Sequence, residues 1–225
     1  MTGTSALPAA LLFDLDGTLV DSLPDMLRAM NVFLAALGRR AVSGQEVGRW
    51  VGDGAQALVE RALAATGGLP QGALKSLTAD YIACYRGHAA GETRPYPGVT
   101  AVLEQLHAQG HPMAVCTNKP YDLAIEVLQG LGLLDRFQAV LGGDSLPVKK
   151  PDPAPLRAAL AAMGAERRRA LMVGDTRNDV LAARGAGLPV AVVAFGYGAE
   201  DPRGLGGDVL IEDFADLPRL AAAYL

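Results

Sequence analysis

Cysteine, histidine and aromatic residues are scarce in this chain of 225 residues, and each scarcity removes a class of function. Its two cysteines, Cys84 and Cys116, lie far apart without metal-ligand spacing. No disulfide framework is expected, and a reducing compartment is implied. The three histidines, His88, His107 and His111, have no ligand spacing either and read as incidental. Lys and Arg number 20 against 24 acidic residues, a net charge of -4, and they form no basic block. Nucleic acid is therefore not expected as a partner, because backbone binding needs clustered cations. The one dense basic run, Arg167-Arg168-Arg169, sits between a helical stretch and an apolar run and reads as a solvated turn. No apolar run approaches the ~20 residues that span a bilayer. The N-terminus shows no charged segment followed by a long apolar one. These absences lead to the expectation of a cytoplasmic protein with no membrane partner.

What the chain does have is apolar surface. Half of it is hydrophobic, 50%, and 20% is charged, enough to bury a sizeable core. The length fits one large domain, or a core with a smaller insert. Short apolar runs at 9–13, Met113–Cys116, Ala139–Leu141, 170–173 and 190–194 read as buried strands. Helical patterns separate them at 99–109, 121–131, 155–163 and 179–186. Several of these stop at glycine: Gly110, Gly132, Gly164 and Gly187. Alternation of this kind predicts an α/β fold, a Rossmann-like parallel sheet with helices on both faces. The stretch 23–93 differs. It reads as amphipathic helices over 26–37, Ala55–Ala65 and 73–90, with a turn at 66–70 and no strand. The expected organisation is a catalytic core of 1–22 and 94–225 with an inserted α-helical cap of 23–93.

Four segments carry chemistry, and they fall at or near the ends of predicted strands. In Asp14-Leu15-Asp16-Gly17-Thr18, two carboxylates two residues apart project to the same side. Asp14 suits a nucleophile and Asp16 a general acid/base, although a strand followed by an Asx turn has the same composition. Thr117-Asn118-Lys119 offers a hydroxyl and backbone N–H groups to a phosphoryl oxygen, or simply caps the next helix. Lys149-Lys150-Pro151 presents a cation, or forms a solvated loop. Gly174-Asp175-Thr176-Arg177-Asn178-Asp179 places two acids four apart at a helix start, suited to Mg²⁺ or to helix capping. Each alone has a bland reading. Together they supply a nucleophile, an acid/base, a phosphate clamp, a cation and a metal ligand, the inventory of phosphoryl transfer. In open α/β sheets that inventory belongs at the carboxyl ends of strands.

Inside the helical stretch, Gly52-Asp53-Gly54 reads as a loop that closes over the site. Gly52 and either Arg49 or backbone N–H groups would then face the non-reacting end of a substrate, unless Arg49 is ordinary surface. Asp80, Tyr81 and Tyr85 read as helix surface and core packing.

The four segments resemble those of the haloacid dehalogenase-like superfamily of phosphohydrolases. Asp21-Ser22, Trp50-Val51-Gly52-Asp53-Gly54, Thr117-Asn118-Lys119-Pro120, Gly142-Gly143-Asp144-Ser145 and Lys149-Lys150-Pro151 are similar to its bacterial phosphoglycolate phosphatase branch. The resemblance implies hydrolysis through an aspartyl phosphate on Asp14, with Asp16 as acid and then base. It implies that Thr117, Asn118 and Lys150 bind the phosphoryl group. It also implies Mg²⁺ held by Asp14, the backbone carbonyl of Asp16 and Asp175, with Asp179 in support. The expected substrate is a small phosphate ester, 2-phosphoglycolate first. Another phosphate ester, a phosphomutase such as a β-phosphoglucomutase, a dehalogenase or a phospho-accepting receiver are the alternatives. Monomer and homodimer both stay open.

Overall fold

The computed structural model describes residues 8–69, 73–166, 169–197 and 200–224. Pro70 of the turn at 66–70, and Arg167 and Arg168 of the basic run, lie outside the described residues. Strand β1 (Ala10–Phe13) leads into a short strand β2 (Val20–Asp21). Four helices follow: α1 (Leu23–Ala36), α2 (Gly44–Trp50), α3 (Ala55–Ala65) and α4 (Leu74–Tyr85). Strand β3 (Arg94–Pro95) then returns antiparallel to β2. Beyond it the chain alternates: α5 (Val99–Ala108), β4 (Met113–Cys116), α6 (Tyr121–Gly130), β5 (Ala139–Leu141), α7 (Ala154–Ala162), β6 (Ala170–Gly174), α8 (Arg177–Ala186) and β7 (Val190–Val193). Strand β8 (Val209–Ile211) and helix α9 (Leu217–Tyr224) complete it.

The main sheet runs β5-β4-β1-β6-β7-β8, and every pairing in it is parallel. From β1 the order goes outward to β4 and β5 on one side and to β6, β7 and β8 on the other. That reversal opens a crevice beyond the carboxyl ends of β1, β4 and β6, the place where such sheets bind ligands. Side chains alternate across the sheet. Leu11 and Phe13 belong to one apolar cluster with residues of α5 and α6. Ala10 and Leu12 belong to a second with residues of α7 and α8. The first cluster continues without a break into the helical insert through Met26, Phe33 and Leu58.

The sheet and its two helical layers agree with the sequence reading, and the differences have local causes. Strand β5 is an edge strand and only half buried. Helix α4 stops at Tyr85, short of the expected 90, because Gly87 takes a left-handed φ of 78°. Helix α2 was not expected. Its start is marked by a capping box in which Ser43 and Glu46 bond each other's backbone N–H. Strand β8 and helix α9 were not expected either. Phe214, just after β8, is fully buried beside Phe13 with ring centroids 6.3 Å apart.

Two crossings tie the insert to the sheet, and Asp25 holds them together. It lies in the first turn of α1 and is buried. One of its carboxylate oxygens accepts from Glu92 N, Thr93 N and Thr93 Oγ1, each at 2.8 Å. The outgoing and returning chains are thus fastened by a charge-assisted fork. Asp25→Ala leaves those donors unpaired and is expected to cost about 3 kcal/mol or more in urea unfolding, with faster amide exchange at Thr93. A loss below about 0.5 kcal/mol would contradict this role for Asp25.

Candidate active site

The site is built where strands end. Asp14 follows β1 directly, and its N–H continues the ladder to Val173 O at 2.9 Å. Gly17 turns the chain back with φ 84°, and a Cβ there would lie 2.3 Å from Asp175 Oδ2. Thr18 Oγ1 donates to Asp175 Oδ1 at 2.9 Å, so the β1 and β6 loops interlock. Asp179 closes a capping box on α8, where its Oδ2 accepts from Thr176 N and Thr176 Oγ1 at 3.0 and 2.7 Å. That leaves Asp179 Oδ1 for Lys150 Nζ, at 2.5 Å. Lys150 Nζ also lies 3.0 Å from Asp14 Oδ1. Its side chain is 2% exposed, unlike the neighbouring Lys149, which is exposed and bonds the insert loop at Asp53 O. The bland reading of the Lys149-Lys150 segment as a solvated loop therefore fails at Lys150.

Electrostatics in this cluster are severe. Asp14, Asp175 and Asp179 are buried, and one oxygen from each lies within 4.8 Å of the others. Burial pushes the Asp14 carboxyl up to about 6; Lys150 pulls it down and Asp179 pushes it further up. Burial, then the charges of Asp14 and Asp179, hold Asp175 well above the usual carboxylate range. Burial alone would depress the Lys150 ammonium, but Asp14 and Asp179 outweigh it and hold it above its ordinary value. One ammonium against three carboxylates leaves an anionic cavity. Asp14 Oδ1 is buried without a hydrogen bond, since Lys150 is close to it but poorly aligned. An orphaned oxygen among hard oxygen donors fits a divalent cation.

The Asp16 side chain lies outside that cluster. Its carboxylate faces the insert, accepting from Lys119 Nζ at 3.0 and 3.3 Å and from Ser22 Oγ at 2.5 Å. Lys119 Nζ also donates to Tyr85 Oη at 2.9 Å. Thr117 does not cap α6, whose N-cap position is taken by Pro120 with no side-chain bond. Instead Thr117 lines the cavity with Asp14 and Asp16. Asn118 Nδ2 donates to Lys150 O and to Gly52 O, both at 2.9 Å.

The insert closes the cavity from the other side. Gly52 O accepts from Asn118 and, at 3.2 Å, from Asn178 Nδ2. Asp53 accepts from Asn178 Nδ2 at 2.7 Å through Oδ1 and from Lys149 Nζ at 2.6 Å through its backbone O. A Cβ at Gly54 would lie 2.9 Å from Asn118 O, so only glycine lets this loop sit down. Gly52, Gly54, Val51 and Leu58 line a space of about 40 Å³ over Asp14. Arg49 does not reach it. That side chain is exposed on α2 and lines an adjoining groove with Arg61, Arg177 and Glu200, which shares Val51 and Gly52 with the cavity and borders Asp175.

The sequence reading named Lys119 without a role for its ammonium and missed a tyrosine layer beside it. Tyr81 and Tyr85 are buried and line the cavity, rather than only packing the helix. Tyr197, after β7, donates from Oη to Asp21 Oδ1 at 2.6 Å and accepts from Leu23 N at 2.9 Å, while its N–H donates to Asp175 Oδ2 at 3.1 Å. Signals existed: Tyr81 and Tyr85 stand one turn apart on α4, and Lys119 follows a motif residue directly.

Comparison with known proteins finds similarity along most of the chain. The family model described as haloacid dehalogenase-like hydrolase matches residues 8–187. The phosphoglycolate phosphatase of Caulobacter vibrioides is 41% identical over 218 residues, covering 96% of this chain and 92% of that protein. The phosphoglycolate phosphatase of Rhodospirillum rubrum is 45% identical over 216 residues, covering 94% and 90%. The crystal structure of a predicted phosphoglycolate phosphatase from Haemophilus somnus 129PT superposes with a TM-score of 0.89 at 34% identity, covering 95% of this chain and 98% of that one.

The cluster has no slack at Gly174, where a Cβ would lie 2.4 Å from Asp179 Cβ and Cγ. Gly174→Ala is expected to cost about 1–3 kcal/mol in urea unfolding and to displace Asp179 in a crystal structure. Gly44→Ala, whose nearest contact would be an ordinary 3.8 Å, is expected to be neutral or stabilising. Equal effects of the two substitutions would contradict a tightly packed cluster.

Proposed function

The chain belongs to the haloacid dehalogenase-like hydrolase family and is a phosphatase, and from that premise we propose that it hydrolyses 2-phosphoglycolate through a phosphoryl group carried on Asp14. The observation that carries this reading is the grouping of Asp14, Asp175, Asp179 and Lys150 at the carboxyl ends of β1 and β6. Asp14 attacks phosphorus, and its new O–P bond replaces the ester P–O bond. Asp16 gives a proton to the departing glycolate oxygen. It then takes a proton from the water that attacks the aspartyl phosphate, releasing phosphate and restoring Asp14. Thr117 and Lys150 hold the phosphoryl oxygens, with Asn118 fixing the loop between them. Mg²⁺ fits the oxygen set of Asp14 and Asp175, with the Asp16 carbonyl completing it and Asp179 orienting Lys150 and the α8 start. When bound, it supplies the positive charge that neutralises carboxylates and phosphoryl oxygens together.

The Asp16 carboxylate, held by Lys119 and Ser22 on the insert side of the cavity, is placed to meet a leaving group entering from that side. The residues 23–93 act as a cap, with the Gly52–Gly54 loop as the part that seats on the core. The similarity to proteins named phosphoglycolate phosphatase at 41% and 45% identity supports the same substrate.

Phosphate release across a panel of small phosphate esters tests the reading. The expected result is the highest kcat/KM for 2-phosphoglycolate, lost on adding EDTA and restored by Mg²⁺. Asp14→Asn is expected to fold and to lose at least about 10³-fold in kcat. Preference for a sugar phosphate would overturn the substrate, and an active Asp14→Asn would overturn the nucleophile.

A further inference from the structure

Tyr81 presents the least explained polar atom of the cavity. It sits in the middle of α4 and is 1% exposed. Its ring is fixed on two sides, by Phe33 at a centroid distance of 6.2 Å and by Tyr85 at 6.1 Å. Its hydroxyl is buried with no hydrogen-bond partner, yet the residue lines the cavity above Asp14. A tyrosine kept only for packing loses nothing on becoming phenylalanine, and a buried O–H without a partner is costly to keep. An acceptor is missing from its surroundings, and the cavity is where one enters.

The surroundings specify that acceptor. Burial and the nearby Tyr85 hold the Tyr81 phenol above its ordinary value, so it stays protonated and donates. Lys119, whose ammonium stands 4.6 Å from the Tyr85 ring centroid, is paired with Asp16 at 3.0 Å in the free protein, and its charge is uncompensated in the step where Asp16 carries the leaving group's proton. The rest of the cavity wall on the insert side is apolar or backbone: Val51, Leu58 and Met26 beside Gly52 and Gly54. Arg49, the cation expected to serve the substrate's far end, is not among the residues lining this cavity and lines the adjoining groove that shares Val51 and Gly52 with it. A neutral donor next to an ammonium, in an otherwise apolar wall, matches a small carboxylate better than a polyol.

We propose that the Tyr81 hydroxyl is the specificity-determining donor that binds the carboxylate at the non-reacting end of a two-carbon phospho-acid. This inference rests on the phosphatase reading above and names how its substrate is chosen. A site built to donate to one group discriminates strongly against analogues that lack it, because its own polar atom is then left unpaired. The fixed ring allows this discrimination with little loss of side-chain freedom on binding.

The test compares wild type and Tyr81→Phe on 2-phosphoglycolate and on ethyl phosphate, which has the same carbon count and no carboxylate. Tyr81→Phe removes an oxygen that has no partner in the free protein, so its melting temperature is expected to equal or exceed that of wild type. The ratio of kcat/KM for the two esters is expected to fall by roughly tenfold or more in the variant, mostly through KM for 2-phosphoglycolate. A wild type active on 2-phosphoglycolate, with a Tyr81→Phe ratio within about twofold of it, would overturn the inference alone. A wild type with no activity on 2-phosphoglycolate would overturn the substrate reading and this inference with it. A variant that melts well below wild type would also overturn it, because the hydroxyl would then have a structural partner.

Discussion

Burying three carboxylates beside one ammonium is energetically expensive, since each desolvated ion costs several kcal/mol before pairing returns any of it. Here the return is organised by Lys150. It meets Asp179 at 2.5 Å and Asp14 at 3.0 Å from a loop between β5 and α7, and so joins three strand ends that the sequence separates widely. Asp179 in turn is held by the start of α8, and Asp175 by Thr18 and the Tyr197 N–H. The sheet supplies rigid ends, the glycines supply room, and the charges supply the reason for both. A Cβ at Gly174 or Gly196 would enter the space of Asp179 or Asp175, at 2.4 and 2.3 Å respectively.

The helical insert answers a second constraint. Water must reach the phosphoryl site for hydrolysis and yet be limited while charge develops. The Gly52–Gly54 loop reaches the core through Asn118, Lys149 and Asn178, residues from three of the four site loops. Its docking and the site's geometry are therefore linked through shared side chains. At the base of the insert, Asp25 and Tyr197 pin the crossing chains.

Much of this was legible before any coordinates. The β1 and β6 strands announce themselves as short apolar runs ending in Asp14 and just before Asp175, and the order of motifs orients the sheet. Strand β8 was not legible, because three residues next to a Gly-rich turn give no periodicity to read. Helix α2 was legible in principle through Ser43 and Glu46, but seven residues are too few for an amphipathic pattern. In the site, Asp14, Thr117, Lys150, Asp175 and Asp179 converge as their motifs suggest. Arg49 does not join them, since charge type says nothing about which face of a short helix points inward. Tyr81 and Tyr85 were hidden for the opposite reason. Aromatic residues at helical spacing look like core until the structure shows that this part of the core is also a cavity wall.

The central claim is that Asp14 carries the phosphoryl group, and chemical trapping tests it most directly. Acid quenching during turnover of 2-phosphoglycolate, followed by borohydride reduction and peptide mass spectrometry, converts an acyl phosphate into a homoserine residue at its position. Homoserine at position 14, appearing within the first turnover and absent when the substrate is omitted, is the predicted result. Modification at Asp16 or Asp175 instead, or steady turnover with position 14 unmodified throughout, would contradict it.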